Sequence, residues 1–176
     1  MKTYKSLGLA CALALIAGCG GPKGPPPVVH QTAPAPDATA IRAELDAQVQ
    51  KVMMMLQNKD VAGFVGAFTD DATWILPDAT TSRGKAEIEK TVTAFLDSIE
   101  SATISSSGVD RLVVISDSEA VTFSTAAYTM TMKGQKPQNR INPFADYWKK
   151  GADGVWRIAY EVNAEGAAPE AAAKAP

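Results

Sequence analysis

Few residues in this chain are equipped for chemistry, and the most promising lie late in it. The stretch "FADYW", residues 144–148, sets Asp146 between Phe144 and Trp148 at the two-residue spacing of one strand face. A carboxyl held among aromatic rings loses hydration, its pKa rises, and it becomes able to give or take a proton near neutral pH. Tyr128, in "AAYTM", can donate a hydrogen bond or act as a weak acid beside it. The adjacent pair Asp70 and Asp71, in "FTDDATWILPD", reads as turn chemistry between the second helix and the first strand, where short acidic side chains satisfy local backbone amides. Arg140 and Arg157 can hold an anion, but arginines along strand edges usually sit in solvent.

Other chemistries are excluded by what is missing. The one histidine, His30, sits in the proline-rich "GPPPVVHQTAPAP", and the two cysteines, Cys11 and Cys19, both lie near the start of the chain. A domain folded from the remainder has no histidine base, no thiolate metal site and no internal disulfide. No phosphate loop, nucleophile elbow or calcium loop is present, so neither metal nor cofactor is expected. The formal net charge is −2, with no basic stripe, which argues against nucleic-acid binding.

The opening "MKTYKSLGLACALALIAGC" combines Lys2 and Lys5 with an apolar stretch too short to span a bilayer, the pattern of a secretory signal. Its end, Ile16 to Cys19, resembles the lipobox of bacterial lipoproteins, in which the signal is cut before a cysteine that is then acylated. Residues 1–18 are therefore expected to be removed, and Cys19 to anchor the chain to a membrane of the bacterial cell envelope with its domain facing the periplasm or exterior. Residues 20–36 are rich in proline and glycine. At about 3.1 Å per residue they form a tether that reaches roughly 50 Å. Residues 37–165 form one domain, and the alanine-rich residues 166–176 a loose tail.

Positioning the candidate groups takes helices first and strands after. Asp37 caps a helix with the stripe Ile41, Leu45, Val49, Val52 and Leu56, and the "MMM" run that follows puts Met53 and Met55 at the core edge with Met54 outside. Asp60 caps a short second helix, in which Gly63 and Gly66 suggest a close neighbour, and "ATWILP" is a strand. "TTSRGK" turns into a third helix with the stripe Ile88, Val92, Phe95, Leu96 and Ile99. Four strands follow in "ATISSSGVDRLVVIS", "EAVTFSTAAYTMTM", "QNRINPFADYWKK" and "VWRIAYEVNAE". In the second of these, Val121 and Phe123 take one face and Tyr128, Met130 and Met132 the other, which predicts a bulge near Ala126. In the last, simple alternation puts Trp156, Ile158, Tyr160 and Val162 on one face. The sum is an α+β domain of three helices on a strongly bent antiparallel sheet, with a central pocket.

"LQNKDVAGFVGAFTDDATWILPD", "SRGKAEIEKTVTAF" and "DYWKKGADGVWRIAYE" resemble, in order and spacing, the SnoaL-like branch of the nuclear transport factor 2-like superfamily over residues 40–163. The resemblance implies a cone-like fold and a homodimer packed through the outer sheet face. It also invites comparison with ketosteroid isomerase, where a carboxylate base faces an oxyanion hole of a tyrosine and a protonated aspartate. Here the tyrosine's place falls on Val52 and the base's on Leu76, while Asp146 matches the protonated aspartate. The implied pocket is Val52, Trp74, Leu76, Phe144, Asp146 and Trp148. The reading favoured is a non-catalytic small-molecule-binding or accessory module. The alternative is an isomerase, cyclase or dehydratase using Asp146 with Tyr128.

Overall fold

A computed structural model describes residues 35–164. The expected signal, Cys19, all of the expected tether but residues 35 and 36, and the expected tail lie outside the described residues. Helix α1 (Ala38–Gln57) starts where the Asp37 carboxylate accepts from the amides of Thr39 and Ala40, and it buries Ile41, Leu45, Val49 and Val52. Leu56, last of the stripe, is half-buried. Helix α2 (Val61–Gly66) is capped by Asp60, which accepts from the Gly63 amide. The close neighbour of Gly63 is that capping carboxylate, into which an added Cβ would run at 2.2 Å, and Gly66 has nothing within 4 Å. Gly63 therefore reflects the cap rather than helix packing, and no neighbour accounts for Gly66.

Strand β1 (Phe68–Ile75) begins earlier than the sequence suggests and contains Asp70 and Asp71. They occupy an irregular stretch between the paired positions Phe68 and Thr73. Asp70 binds Lys85 at 2.7 Å and Asp71 accepts from Thr69 at 2.9 Å, so both acids are structural. The supposed turn at "TTSRGK" holds a short strand, β2 (Thr81–Arg83), antiparallel to β1. Gly84 at φ 71° then opens helix α3 (Gly84–Ser98), and a Cβ added there would press on the Asp70 carbonyl oxygen at 3.2 Å.

The sheet continues with β3 (Ile99–Ser116), β4 (Glu119–Met132), β5 (Gln138–Lys150) and β6 (Trp156–Asn163), in the spatial order β2-β1-β6-β5-β4-β3. It is not wholly antiparallel, because β1 and β6 run parallel. Ile99 opens β3 rather than closing α3.

The bulges lie in β3, not β4. Against an unbroken β4–β5 register, β3 slips at four places, including one opposite Ala127 and Tyr128. In β4 the inward face is Ala120, Thr122, Ser124 and Ala126, and it continues to Tyr128 and Met130 without a change of phase. The apparent slip arises because apolar Val121 and Phe123 point outward and polar Thr122 and Ser124 inward. Each bulge leaves backbone groups without a ladder partner, and α1 together with Lys59 beyond its end binds four such groups at three of the bulges. Lys59 donates to the Ile99 carbonyl at 2.6 Å, Gln57 accepts from the Ile104 amide at 2.8 Å, and Asp46 accepts from the Val109 amide at 2.9 Å while Arg42 donates to its carbonyl. The polar side of α1 thus holds the curvature that hollows the cone.

Candidate functional site

The hollow between helices and sheet is a cavity of about 190 Å³. Its walls come from every layer: Met53 and Leu56 of α1, Phe64 of α2, Phe95 of α3, and inward residues of β1, β3, β4, β5 and β6. Phe64, Phe68 and Trp74 pack as a three-ring cluster at one side, with Phe64 and Trp74 edge to face at 5.4 Å. An engineered apolar void of about 150 Å³ accommodates a benzene ring, so a space of this size suits a small molecule.

Among the described residues the one carboxyl lining that cavity is Glu161, which simple alternation puts on the opposite face of β6 from Trp156 and Ile158. β6 pairs Tyr147 with Tyr160 but Trp148 with Ile158, leaving Ala159 as an extra residue. That bulge reverses the phase: Trp156 and Ile158 are buried, Tyr160 and Val162 are exposed, and Glu161 turns inward at 6% exposure. Glu161 then stands directly across the β5–β6 ladder from Asp146, which is 1% exposed.

Hydrogen bonds fix the two acids differently. Glu161 Oε1 accepts from the Trp74 indole at 2.8 Å and from Asn163 Nδ2 at 2.7 Å, and Asn163 is in turn held by Asn142 at 3.2 Å. Asp146 Oδ2 accepts from the Thr122 hydroxyl at 3.3 Å, and the same hydroxyl oxygen accepts from the Trp148 indole at 2.8 Å. Asp146 Oδ1 and Ser124 Oγ are buried without a partner among the described residues.

The electrostatics follow from burial. Desolvation lifts the Glu161 carboxyl to about 7, against the pull of the Asn163 and Trp74 hydrogen bonds. Asp146 is pushed well above the usual carboxylate range, first by desolvation, then by the charge of Glu161, with Thr122 opposing. Both carboxyls therefore hold their protons to higher pH than an exposed carboxylate does, and each one's charge opposes ionisation of the other. Such an arrangement can transfer a proton or offer one charged oxygen to a ligand.

The residues singled out in the sequence are not all brought together. Trp74, Leu76 and Phe144 line the cavity, as does Tyr128. Val52, Asp146 and Trp148 instead line a recess beneath it with no free volume of its own, and Met53, Phe144 and Glu161 border both spaces. Tyr128 does not assist Asp146. It pairs with Arg140, Asp146 pairs with Thr122, and six residues of strand, roughly 20 Å, separate the two positions. Burial raises the Tyr128 hydroxyl's pKa while Arg140 lowers it. Arg157 is engaged by Asp153 at 2.7 Å, on the surface. Among the described residues no group of three histidine, cysteine, aspartate or glutamate side chains is placed to hold a metal ion.

The family model of the SnoaL-like domain matches residues 49–160. No curated protein matches the chain. Among solved structures, a nuclear transport factor 2-like superfamily protein from Salmonella enterica subsp. enterica serovar Typhimurium str. LT2 superposes with a TM-score of 0.63 at 16% identity, covering 74% of this chain and 94% of its own. A hexachlorocyclohexane dehydrochlorinase from Novosphingobium barchaimii LL02 gives 0.64 at 13% identity, covering 74% and 90%. A putative scytalone dehydratase from Novosphingobium aromaticivorans DSM 12444 gives 0.65 at 11%, covering 71% and 83%. At these identities the structural likeness speaks for the fold, and the family match, spanning most of the folded domain, gives the assignment: the chain belongs to the SnoaL-like domain family, on the nuclear transport factor 2-like cone.

Proposed function

We propose that this SnoaL-like domain binds a small molecule with an apolar body and one polar end, and does so as a lipid-anchored protein of the bacterial cell envelope. The observation that carries the binding reading is the cavity of about 190 Å³, walled by apolar side chains and bordered by the single carboxyl of Glu161. A thermal-shift panel of small apolar and amphipathic compounds tests it. A ligand at a hundred times its Kd adds about 2.7 kcal/mol and moves Tm by several degrees. A panel without a single specific shift removes the reading.

A second reading, proton transfer, is favoured by one specific observation: Glu161 titrates at about 7, where a general base works best, and its Oε2 receives no hydrogen bond among the described residues. Two of the structural neighbours carry the names of enzymes, a dehydrochlorinase and a dehydratase. On this reading Glu161 replaces Asp146 as the reacting group, since Asp146 lies in the recess behind it. Loss of turnover in Glu161→Gln with ligand affinity retained would support it, and undiminished turnover would end it.

The anchor rests on the lipobox resemblance at Cys19. Cys19→Ser is expected to shift the protein from membrane to soluble fractions, since stable attachment takes more than one acyl chain. Retention of the variant in membranes would refute the anchor. For a homodimer, the support is an apolar outer sheet face on which Val113, Ile115, Phe123, Tyr160 and Val162 are all exposed. Phe123→Lys is expected to halve the mass measured in solution, and a wild-type monomer at high concentration would dispose of the dimer.

A further inference from the structure

The surroundings of the Glu161 carboxyl are lopsided in charge. Asp146 faces it from β5, Trp74 from β1 and Asn163 from its own strand, while Tyr128 of β4 and Gln57 of α1 line the same cavity. Among the described residues no lysine or arginine lines either the cavity or the recess beneath. The nearby cations are engaged elsewhere. Lys59 donates to the Ile99 carbonyl at 2.6 Å, and Arg140, opposite Tyr128, donates to Gln138 at 2.8 Å.

A buried carboxylate with a purely structural role is paired with a cation or has its oxygens fully hydrogen-bonded. This pair has neither. Both hydrogen bonds to Glu161 fall on Oε1, and Asp146 Oδ1, at a residue 1% exposed, has no partner among the described residues. The same end of the cavity is rich in aromatic rings, Phe64, Trp74 and Phe144, with Tyr128 further along β4. Ring faces carry the negative lobe of the quadrupole and attract cations.

From this juxtaposition we infer that the cavity takes an organic cation, a protonated or quaternary amine on a small apolar body, with the ammonium against Glu161 and the aromatic rings and the hydrocarbon toward Phe95, Leu96 and Met130. The assignment rests on the binding reading above and narrows it to one ligand class. A neutral ligand accepting a hydrogen bond from protonated Glu161 is the competing outcome.

The test uses a matched pair, benzyltrimethylammonium and its uncharged isostere neopentylbenzene, titrated into the full chain and followed by tryptophan fluorescence. At about pH 8.5 Glu161 is ionised, and the cation is expected to bind about tenfold or more tighter than the isostere, a difference of about 1.4 kcal/mol. At about pH 5.5 Glu161 is protonated, and the preference should largely vanish. Glu161→Gln should abolish the preference at either pH. Should that variant misfold, the pH arm on wild type carries the test alone. Equal or tighter binding of the isostere at high pH, or a cation preference that survives the pH drop or the substitution, overturns the assignment. Silence from both compounds overturns it too, and the wider thermal-shift panel then decides separately whether the cavity binds anything.

Discussion

Replacing Glu161 by glutamine is expected to stabilise the protein by about 3 kcal/mol at pH 8 and to flatten its stability between roughly pH 5 and pH 8. The carboxyl titrates at about 7 when folded against 4.5 in its ordinary state, because burial disfavours its charge. Between those values the folded chain keeps a proton that the unfolded chain releases. Stability is therefore greatest below the unfolded pKa and falls as pH rises through the folded one, by about 1.4 kcal/mol for each unit of separation. Asp146, pushed upward for the same reason, acts in the same direction. Surface acids held by partners, such as Asp153 at about 2 beside Arg157, act oppositely, and most of their titration lies below pH 5. The window from pH 5 to 8 thus isolates the buried pair. Urea denaturation at constant ionic strength measures it, and a wild-type protein more stable at pH 8 than at pH 5 would contradict the placement of Glu161.

A group that costs this much stability at neutral pH has no structural reason to be kept. Glutamine would accept from Trp74 and Asn163 as well, without the charge. The cost falls on the one acid that borders the cavity, which is where local rules of folding are most often broken for the sake of function.

How much of this was legible in the sequence depends on whether a feature is local. The caps at Asp37 and Asp60, the apolar stripe of α1 and the bounds of β4 and β5 are all set by neighbours within one or two turns of chain, and they read correctly. β2 is three residues long and exists because β1 lies beside it, so "TSR" carries no periodic signal. The parallel pairing of β1 with β6 joins segments some ninety residues apart, and no local pattern encodes it. Glu161 was missed for the same reason. Period-two alternation holds only in an unbulged strand, and the extra residue at Ala159 is defined by register with β5. The one available signal was chemical: Tyr160 and Val162 around a charged residue fit either phase. In β4 the reverse error arose, since exposed Phe123 and buried Thr122 invert the usual preference.

Thr122 is the hub of that inverted face, and Thr122→Val is expected to cost about 2–6 kcal/mol. The hydroxyl is fully buried, accepts from the Trp148 indole at 2.8 Å and donates to Asp146 at 3.3 Å. Valine fills nearly the same space, so no cavity opens and packing contributes little. What remains is two orphaned groups, each costing about 1–3 kcal/mol when a buried partner is removed. Asp146 suffers more in kind, because Thr122 is the one influence holding its pKa down. Its proton should become harder to remove, and Glu161 should then bear the shared negative charge more exclusively. Thr122→Ser separates the terms: it keeps the hydroxyl and loses a methyl, for about 1 kcal/mol. Trp148→Phe removes the indole donor, so in a double-mutant cycle with Thr122→Val the coupling energy reports the bond at 2.8 Å directly. A Thr122→Val protein within 0.5 kcal/mol of wild type, on a scale where about 1 kcal/mol is the least a single orphaned group costs, would show that water satisfies the indole and the acid, and that the recess beneath the cavity is wet.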